Sequence, residues 1–405
     1  MTYTGKRILI GVSGGIAAYK AAELVRRLVG MGAAVKVVMT RAAQEFIAPL
    51  TMQALSGQSV GVSLFGQGAE PLEHVALGQE VDAIVLAPAT ANLIGKMAGG
   101  IGDDLLTTVL LAATRPILVC PAMNSEMWAN PAVQENLGRL RARGLAVLEP
   151  EAGSLACGAV GLGRLPEPEV ILEALARVLS PQDLAGRRVL VTAGPTHEDL
   201  DPVRFLTNRS SGKQGYALAR AAWRRGARVT LVSGPTYLPG PYGVELVAVR
   251  TAREMLAAVQ GRFPEADALL MAAAVGDYHP LSFAEHKLKR GPKHLEVTLA
   301  PNPDILKELQ SLKTRQVMVG FAAETQDLVA AAKRKLLDKG LDLIVANDVA
   351  RPDSGFAVDT NEVTLIGSQG GPVHLPLMSK QEAAEKILDR VAQLLRERDQ
   401  GGGGA

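Results

Sequence analysis

The sequence contains few cysteines, few aromatic residues and no long apolar run. Two cysteines in 405 residues cannot form a disulfide framework, which is typical of a reducing compartment. No apolar run reaches the ~18 residues of a membrane span, and the chain start breaks at glycines too early for a signal peptide. We therefore expect a cytoplasmic protein without a membrane partner. Aromatic residues are 4% of the chain, which argues against a stacking platform for single-stranded nucleic acid.

Charge and length exclude further classes of protein. The 43 basic and 41 acidic residues nearly cancel, and residues 1–180 hold 14 basic against 15 acidic ones. Neither half has the basic excess of a nucleic-acid-binding protein, so we expect no nucleic-acid partner. A hydrophobic fraction of 47% excludes a disordered chain, and 405 residues favour two or three domains.

Short apolar β-branched runs alternate with helical patterns along the chain, as in parallel sheets covered by helices on both faces. The alternation stops near residues 180–189 and then restarts. We predict two doubly wound, Rossmann-like α/β domains at residues 1–186 and 187–399, and a disordered tail at 400–405. The pattern also predicts one helix over Asn92–Ala113 and a strand over His294–Leu299.

The first predicted strand ends in a glycine-rich turn, Gly11–Gly15, that opens a helix. Backbone N–H groups and the positive end of the helix dipole make such a turn a seat for an anion. The pattern G-x-G-x-x-G is absent, and the second strand ends in Thr40 rather than in an acid that binds a ribose. These features favour a phosphate or a flavin over NAD. The alternative is that the glycines only let helix and strand pack closely.

Polar residues also follow two further strands of this half. Thr90 and Asn92 either cap the helix that begins there or face a planar ligand. Asn124 offers an amide that can bind a carboxylate or a flavin carbonyl. Because ligands bind at the carboxyl ends of parallel strands, we expect these residues to form one rim.

His74 and Cys157 are the titratable candidates in the first half. His74 has the titration range of a general base, although a surface histidine is the more ordinary interpretation. Cys157 lies in a glycine-rich loop, where a thiol can act as an acid. Cys120 lies in an apolar strand and is predicted to be a packing residue. The spacing of His, Cys and acidic residues does not match a structural metal site.

The second half carries hydroxyls, glycines and cations at strand ends. Ser210, Ser211, Gly212 and Lys213 precede a helix and form a phosphate cradle, although the Walker pattern is not matched. Asp277 ends another strand, and residues 287–293 hold four cations. This set suits a triphosphate with a divalent ion or a ribose; for the cations alone, a solvated loop is the alternative.

Taken in order, these motifs resemble those of one family across essentially the whole chain. They read GVSGGIAAYK, EHVALG, APATAN, PAMN and ACGAVGLGR, then TAGPT, LDPVRFLTNRSSGKQG, AAAVGDY, KLKR, NPDIL, GFAAET and AND. The family is that of the bacterial bifunctional enzymes of coenzyme A biosynthesis, in which phosphopantothenoylcysteine decarboxylase is fused to phosphopantothenate–cysteine ligase. The resemblance implies ligation of 4'-phosphopantothenate and L-cysteine with CTP, through an acyl-cytidylate. FMN-dependent decarboxylation of the product to 4'-phosphopantetheine would follow.

For the first half, the resemblance implies a flavodoxin-like flavoprotein domain that forms homo-oligomers. His74 would be the active-site histidine, Asn124 would bind the substrate carboxylate, and Cys157 on a flap would donate a proton. The implied FMN-binding residues are Gly11, Ser13, Gly14, Gly15, Thr40, Pro88, Ala89, Thr90 and Asn92.

For the second half, the resemblance implies a ligase that uses CTP and Mg²⁺ and leaves the metal ligands open. Lys287 would stabilise the triphosphate during activation, and Asn208 would act on the acyl-cytidylate. The implied CTP contacts are Ser210, Ser211, Gly212, Asp277, Lys287, Pro303, Asp304, Ile305, Leu306, Phe321, Lys335 and Lys339.

The resemblance further implies trimeric rings of the flavin domain linked by ligase dimers, up to a dodecamer. Two other classes stay open on the residues alone. A flavin-binding regulatory subunit would share the PAMN rim, but Cys157 and the complete second domain argue against it. A nicotinamide oxidoreductase is disfavoured by the missing glycine pattern and the missing ribose-binding acid.

Overall fold

The computed structural model describes residues 3–65, 72–154, 160–290, 294–324, 328–348, 358–368 and 371–401. They divide into two compact units, Met1–Ser180 and Pro181–Ala405. Each unit has hydrophobic clusters of its own.

The first unit is a parallel sheet covered by helices. Its strands are β1 (Arg7–Val12), β2 (Ala34–Met39), β3 (Val60–Gly61), β4 (Ala83–Ala89), β5 (Ile117–Pro121) and β6 (Ala146–Val147), with a separate hairpin of β7 (Glu151–Ser154) and β8 (Val160–Arg164). Its helices are α1 (Ala18–Gly30), α2 (Arg41–Gln44), α3 (Pro49–Ser56), α4 (Glu73–Gln79), α5 (Ala91–Gly99), α6 (Leu105–Ala112), α7 (Ser125–Ala129), α8 (Pro131–Ala142) and α9 (Pro168–Leu179). The sheet order is β3-β2-β1-β4-β5-β6, and every pair is parallel. The order in which the chain adds strands to the sheet therefore reverses between β1 and β4, and such sheets bind ligands at this point.

The second unit repeats this arrangement on a larger sheet. Its strands are β9 (Arg188–Ala193), β10 (His197–Asp199), β11 (Phe205–Thr207), β12 (Arg228–Ser233), β13 (Glu245–Ala248), β14 (Ala268–Met271), β15 (Tyr278–Pro280), β16 (Leu299–Pro301), β17 (Val317–Glu324), β18 (Leu343–Asp348), β19 (Thr360–Gly367) and β20 (Val373–Ser379). Its helices are α10 (Lys213–Arg224), α11 (Ala252–Gln260), α12 (Ile305–Gln310), α13 (Leu328–Asp338) and α14 (Lys380–Gly401), with a 3₁₀ turn at Phe263–Glu265.

The main sheet of the second unit has the order β13-β12-β9-β14-β17-β18-β19-β20. Its first six strands are parallel, and β19 and β20 extend the edge as an antiparallel hairpin. Two small antiparallel pairs, β10-β11 and β15-β16, lie outside it. The doubly wound α/β class predicted from the sequence is confirmed for both units. The strand order of the first unit is 3-2-1-4-5-6, rather than the flavodoxin-like order that the resemblance implied.

The limits of the units differ from the predicted ones by a few residues. The segment 181–186, assigned above to the first domain, packs on the second: Leu184 is fully buried in its core. The Leu184 N–H donates to the carbonyl of Arg225, and the guanidinium of Arg225 binds the carboxylate of Asp183 at 2.5 Å. At the other end, α14 continues to Gly401, so the predicted tail at 400–405 begins too early.

Two predicted elements are also wrong. The single helix over Asn92–Ala113 is two helices, because Gly100 adopts φ +71° and ends α5. Asp104 then caps α6 by accepting the N–H of Thr107 at 2.8 Å. The strand over His294–Leu299 is confined to Leu299–Pro301, which pairs with β15 outside the main sheet.

Candidate active sites

A cavity of about 590 Å³ lies at the carboxyl edge of the first sheet. It is bordered by the turn before α1 and by the first residues of α2 and α5. Of the implied FMN-binding residues, it is lined by Ser13, Gly14, Thr40, Thr90 and Asn92. Helix N-termini present unpaired N–H groups and positive dipole ends, so this edge attracts an anion.

Ser13 holds two strand ends of this cavity together. Its hydroxyl is buried, donates to the carbonyl of Pro88 at 2.7 Å and accepts the N–H of Thr90 at 2.9 Å. The one hydroxyl proton is therefore committed inside the protein. Ser13 shapes the cavity rather than donating that proton to a ligand.

Backbone N–H groups are the donors that remain at this turn. Within the described part of the chain, the N–H groups of Gly14, Gly15 and Ile16 have no acceptor. The turn also lies tightly against α2, since a Cβ on Gly14 would stand 2.4 Å from the Cβ of Ala42. Because Gly14 and Gly15 have no side chains, an anion can approach the N–H groups of this turn closely.

Thr40 and Thr90 are helix caps as well as cavity residues. Thr40 Oγ1 accepts the N–H of Ala43 at 3.2 Å, and Thr90 Oγ1 accepts that of Leu93 at 3.4 Å. The capping interpretation thus holds for Thr90, whereas Asn92 lines the cavity without being a cap.

Two cations at this cavity were not predicted from the sequence. Arg41 and Lys96 both line it, and Lys96 binds Asp103 at 2.7 Å. This hydrogen bond raises the pKa of Lys96, which keeps the ammonium charged. Lys96 lies four residues after Asn92 on α5, and that spacing places the two on one helix face. It is the signal that could have found the lysine.

Other implied residues of the first half lie outside this cavity. Gly11 is buried in β1, where a Cβ would meet the side chain of Leu86 at 2.6 Å, so packing accounts for this glycine. The carbonyl of Ala89 accepts the N–H of Ala122 and joins the ends of β4 and β5. His74 is half-buried on α4 and does not line the cavity. The cavity is also not lined by Gly15, Pro88, Ala89 or Asn124.

Asn124 lies beside the β7-β8 hairpin. Its side-chain oxygen accepts the N–H of Glu126 at 2.8 Å and caps α7. The N–H of Met123 donates to the carbonyl of Gly163 on β8 at 3.0 Å. The hairpin that leads to Cys157 therefore rests on the Asn124 turn; Cys157 itself lies outside the described residues.

A second cavity, of about 550 Å³, lies at the carboxyl edge of the large sheet. It is lined by Asn208 and by every implied CTP contact except Lys287, namely Ser210, Ser211, Gly212, Asp277, Pro303, Asp304, Ile305, Leu306, Phe321, Lys335 and Lys339. Lys287 is exposed and does not line the cavity.

The N-terminus of α10 forms one wall of this cavity. Gly212 precedes the helix with φ +75°, and a Cβ there would stand 2.8 Å from Thr236 Cγ2. On the first turn, a Cβ at Gly215 would meet that of Ala193 at 2.5 Å. The helix start thus fits against the end of β9 only because both positions are glycine. The first residues of α10 thus lie at the cavity, and the N–H groups of a helix start suit an anion.

Asn208 and Lys335 brace this cavity from two sides. The Asn208 amide donates to the carbonyls of Ala274 at 3.3 Å and Val275 at 3.0 Å, joining the segment before α10 to the loop after β14. Lys335 on α13 donates to the carbonyl of Phe321 at 3.1 Å. Backbone carbonyl groups thus hold both side chains, those of the loop after β14 for Asn208 and that of Phe321 on β17 for Lys335.

Asp304 orients Lys339 at the same end. Their side chains lie 2.9 Å apart. Burial by itself would raise the pKa of Asp304, but the hydrogen bond and charge of Lys339 outweigh it, so the pKa falls below the usual range. Asp304 also caps α12 by accepting the N–H of Lys307. The carboxylate is therefore ionised and holds a cation beside the cavity.

Sequence reasoning missed Lys380 and Asn361, which also line this cavity. Lys380 is buried and donates to the carbonyl of Val358 at 2.5 Å. Burial and the nearby charge of Lys213 lower the pKa of Lys380 to about 8. These residues belong to β19 and α14, which no motif marked. Gln214 and Asn347 also line the cavity.

No three His, Cys, Asp or Glu side chains among the described residues cluster as around a bound metal ion. Among the same residues, no helix combines the length and the apolar character needed to cross a bilayer.

Comparison with known proteins defines the class of each unit. A family model described as "Flavoprotein" matches residues 1–180, and one described as "DNA/pantothenate metabolism flavoprotein C-terminal domain" matches residues 184–395. The chain is thus a two-domain flavoprotein of pantothenate metabolism. It is 48% identical over 398 residues to the coenzyme A biosynthesis bifunctional protein CoaBC of Vibrio vulnificus strain CMCP6, covering 97% of this chain and 99% of that one. It is 46% identical over 397 residues to the Escherichia coli K12 protein of the same name, covering 96% and 98%. The chain belongs to the CoaBC family.

Two solved structures are similar to part of the chain. The C-terminal domain of a coenzyme A biosynthesis bifunctional protein CoaBC is 41% identical, with a TM-score of 0.47, covering 53% of this chain and 99% of that chain. A PPC decarboxylase variant complexed with pantothenoylaminoethenethiol is 32% identical, with a TM-score of 0.38, covering 42% and 96%.

The family membership confirms the resemblance inferred from the motifs. The chain is a bifunctional enzyme of coenzyme A biosynthesis, with a phosphopantothenoylcysteine decarboxylase domain and a phosphopantothenate–cysteine ligase domain. Its substrates are small molecules, and its first domain is a flavoprotein domain.

Proposed function

We propose that the second domain activates 4'-phosphopantothenate with CTP and joins it to L-cysteine, and that the first domain decarboxylates the product with FMN. The observation that carries this proposal is the second cavity, where a helix N-terminus, Asp277 and the cations Lys335 and Lys339 meet at one sheet edge. A free carboxylate resists attack by an amine, whereas its mixed anhydride with CMP does not. The cavity suits the binding of the nucleotide that makes this anhydride.

The residues of the first cavity fit the phosphate of FMN. Gly14 lines the cavity with a free N–H group, and the side chains of Arg41 and Lys96 add charge for an anion. Thr40, Thr90 and Asn92 would border it. Bound FMN would supply a reversible two-electron oxidation of the C–S unit of the substrate, which eases loss of CO₂.

The protein itself would position the cysteine moiety and move protons. The Asn124 amide would bind the carboxylate that is lost, and Cys157 on the flap would protonate the carbon left behind. His74 would be the active-site histidine. Because His74 and Asn124 do not line the cavity in one chain, a site shared between subunits accounts for their separation.

In the ligase domain, Mg²⁺ would enter with the triphosphate of CTP. This ion is commonly held by substrate phosphates and one or two carboxylates rather than by an all-protein cage. Asp277 lines the cavity and is available as such a carboxylate. Asn208 would act on the acyl-cytidylate from the start of the α10 wall, and Lys287 would reach the triphosphate as it reacts.

The proposal extends to the oligomeric assembly of the chain and to its location in the cell. Trimeric rings of the flavin domain, joined by ligase dimers up to a dodecamer, would bring the two kinds of site together in the cytoplasm. Exposed apolar side chains beside the first cavity support the ring contact, since Ile16 and Tyr19 are each 61% exposed.

The role of Lys287 is tested by separating the two reactions. The Lys287→Gln variant should lose CTP-dependent pyrophosphate release, while decarboxylation of added 4'-phospho-N-pantothenoylcysteine continues at the wild-type rate. Lys289→Gln makes the same charge change two residues away and serves as the matched control. Persistent pyrophosphate release from Lys287→Gln, or an equal loss in both variants, would show that Lys287 has no such role.

A further inference from the structure

Asp201 connects the β10-β11 hairpin to the segment that carries Lys287. The Asp201 side chain is completely buried. One carboxylate oxygen, Oδ1, accepts the N–H groups of Val203 and Arg204, both at 2.8 Å, and closes the hairpin turn. The other, Oδ2, accepts the N–H of Leu288 at 3.1 Å. A single carboxylate therefore binds its own turn and the residue directly after Lys287.

Arg204 adds a second connection at the same point. Its guanidinium donates to Asp201 Oδ2 through Nε at 2.9 Å and through Nη2 at 2.6 Å. Nη2 also donates to the carbonyl of Leu288 at 2.5 Å. Both backbone polar groups of Leu288 are thus bound, its N–H by Asp201 and its carbonyl by Arg204.

The environment keeps Asp201 charged. Burial would raise the pKa of Asp201, but hydrogen bonds from the Arg204 side chain and from three backbone N–H groups hold it well below the usual range. A charged acceptor forms stronger hydrogen bonds than a neutral one. Farther along, the N–H of Ala284 donates to the carbonyl of Leu200 at 3.1 Å, so this chain segment is attached to the hairpin at two places.

We propose that Asp201 is a positioning residue for Lys287 in the activation of the carboxylate by CTP. The proposal rests on the role proposed above for Lys287. Lys287 is exposed, and a long side chain on a loose loop would lose backbone and rotamer freedom on engaging a triphosphate. Fixing Leu288 in advance removes the backbone part of that cost and keeps the ammonium within reach.

The Asp201→Asn variant separates the contact with the hairpin turn from the contacts with Leu288 and the Arg204 side chain. Asparagine retains one oxygen that can accept the N–H groups of the turn, but its amide group cannot accept from Leu288 or Arg204. Asp199→Asn is the matched control, because Asp199 binds Arg250 from the same hairpin and, among the described residues, forms no hydrogen bond or ion pair with 284–290.

We expect Asp201→Asn to lower kcat/KM for CTP in pyrophosphate release by about tenfold, the value of one charge-assisted hydrogen bond. Decarboxylation of added 4'-phospho-N-pantothenoylcysteine by the full chain should not change. Hydrogen exchange at the Leu288 amide should become faster, and Asp199→Asn should leave kcat/KM and this exchange at wild-type values.

A double-mutant cycle distinguishes positioning from general support of the fold. Residual pyrophosphate release is measured under single-turnover conditions with and without Lys287→Gln. If Asp201 acts through Lys287, Asp201→Asn costs about tenfold in the wild-type background and less than about twofold in the Lys287→Gln background. Equal losses in both backgrounds would overturn the positioning role and leave the role of Lys287 standing. An unchanged rate in Lys287→Gln alone would overturn both.

Discussion

The hydroxyl of Ser13 accepts the N–H of Thr90 at 2.9 Å and donates to the carbonyl of Pro88 at 2.7 Å. This buried contact joins the turns after β1 and β4, the two central strands of the first sheet. Ligands bind at this reversal in doubly wound sheets, so the geometry of the proposed flavin site depends on a bond between two protein loops.

Removing that bond should weaken flavin binding. Ser13→Ala removes the hydroxyl acceptor of the Thr90 N–H and the hydroxyl donor of the Pro88 carbonyl, which retains the backbone N–H of residue 13 at 3.2 Å. The loss of these two bonds costs about 1–3 kcal/mol. We expect a lower free energy of unfolding of the first domain and a lower FMN content, measured by denaturant titration and absorbance. Ser56 is half-buried, and its hydrogen bonds within the described residues are to Gln58, so Ser56→Ala provides the control. Equal FMN content in the two variants would count against the role of Ser13.

Gly163 should be essential for the decarboxylase half alone. It has φ +137°, and a Cβ there would stand 2.1 Å from the carbonyl oxygen of Met123, so Gly163→Ala must displace β8 from the Asn124 turn. We expect CO₂ release to fall at least tenfold while CMP release continues. Gly138 on α8 has open space around it, and Gly138→Ala should leave both products unchanged. Normal CO₂ release from Gly163→Ala would show that decarboxylation does not depend on the contact between β8 and the Asn124 turn.

Cys157 is expected to act after the carboxylate has been lost. In Cys157→Ser, turnover should stop at the oxidised product while FMN remains bound, since the hydroxyl is a far weaker acid than the thiol. Rapid-mixing absorbance with added substrate would follow the flavin, and mass spectrometry would identify the retained product. Full decarboxylase activity in this variant would exclude the proton-donor role.

Lys380 should make the stability of the second domain depend on pH. Its pKa is lowered to about 8 in the folded chain, mainly by burial, against ~10.4 when unfolded. Between these values the unfolded chain binds more protons, so the free energy of unfolding rises with pH by at most about 3 kcal/mol. Relative to Lys380→Met, the wild type should therefore gain stability from pH 8 to pH 10.

The control for Lys380 is Lys386→Met, on the same helix but with its side chain 59% exposed. Its stability difference from the wild type should stay constant over this range. Parallel stability curves for wild type and Lys380→Met would show that Lys380 does not titrate as described.

Residues at the ends of parallel strands could be predicted from the sequence, because the apolar runs of the strands stop there and glycine-rich turns follow. Thr90, Ser210, Gly212 and Asp277 were predicted in this way, and each lines a cavity. Asn361 and Lys380 could not be predicted from strand ends, because they reach the cavity from the closing hairpin and from the last helix. Their placement depends on sheet order, which local patterns do not encode.

Lys287 shows the opposite limit. Its motif suggested a phosphate contact, yet in the folded chain it is exposed and outside the cavity. Only the structure reveals that its neighbour Leu288 is bound by Asp201, 87 residues earlier in the sequence. Contacts over such separations depend on tertiary packing rather than on local propensity. The missed break between α5 and α6 was different, because Gly100 and Asp104 are ordinary stop and start signals.

The most direct test of the account is one coupled assay on the purified chain. Visible absorbance is recorded first; 4'-phosphopantothenate, CTP, Mg²⁺ and L-cysteine are then added, and CMP and CO₂ are followed together. We expect a yellow protein with the spectrum of bound FMN that releases CMP and CO₂ in equal amounts, with no CO₂ when CTP is omitted. A colourless protein that releases CMP without CO₂ would contradict the assignment of the first domain, and a protein that releases neither product would contradict the account as a whole.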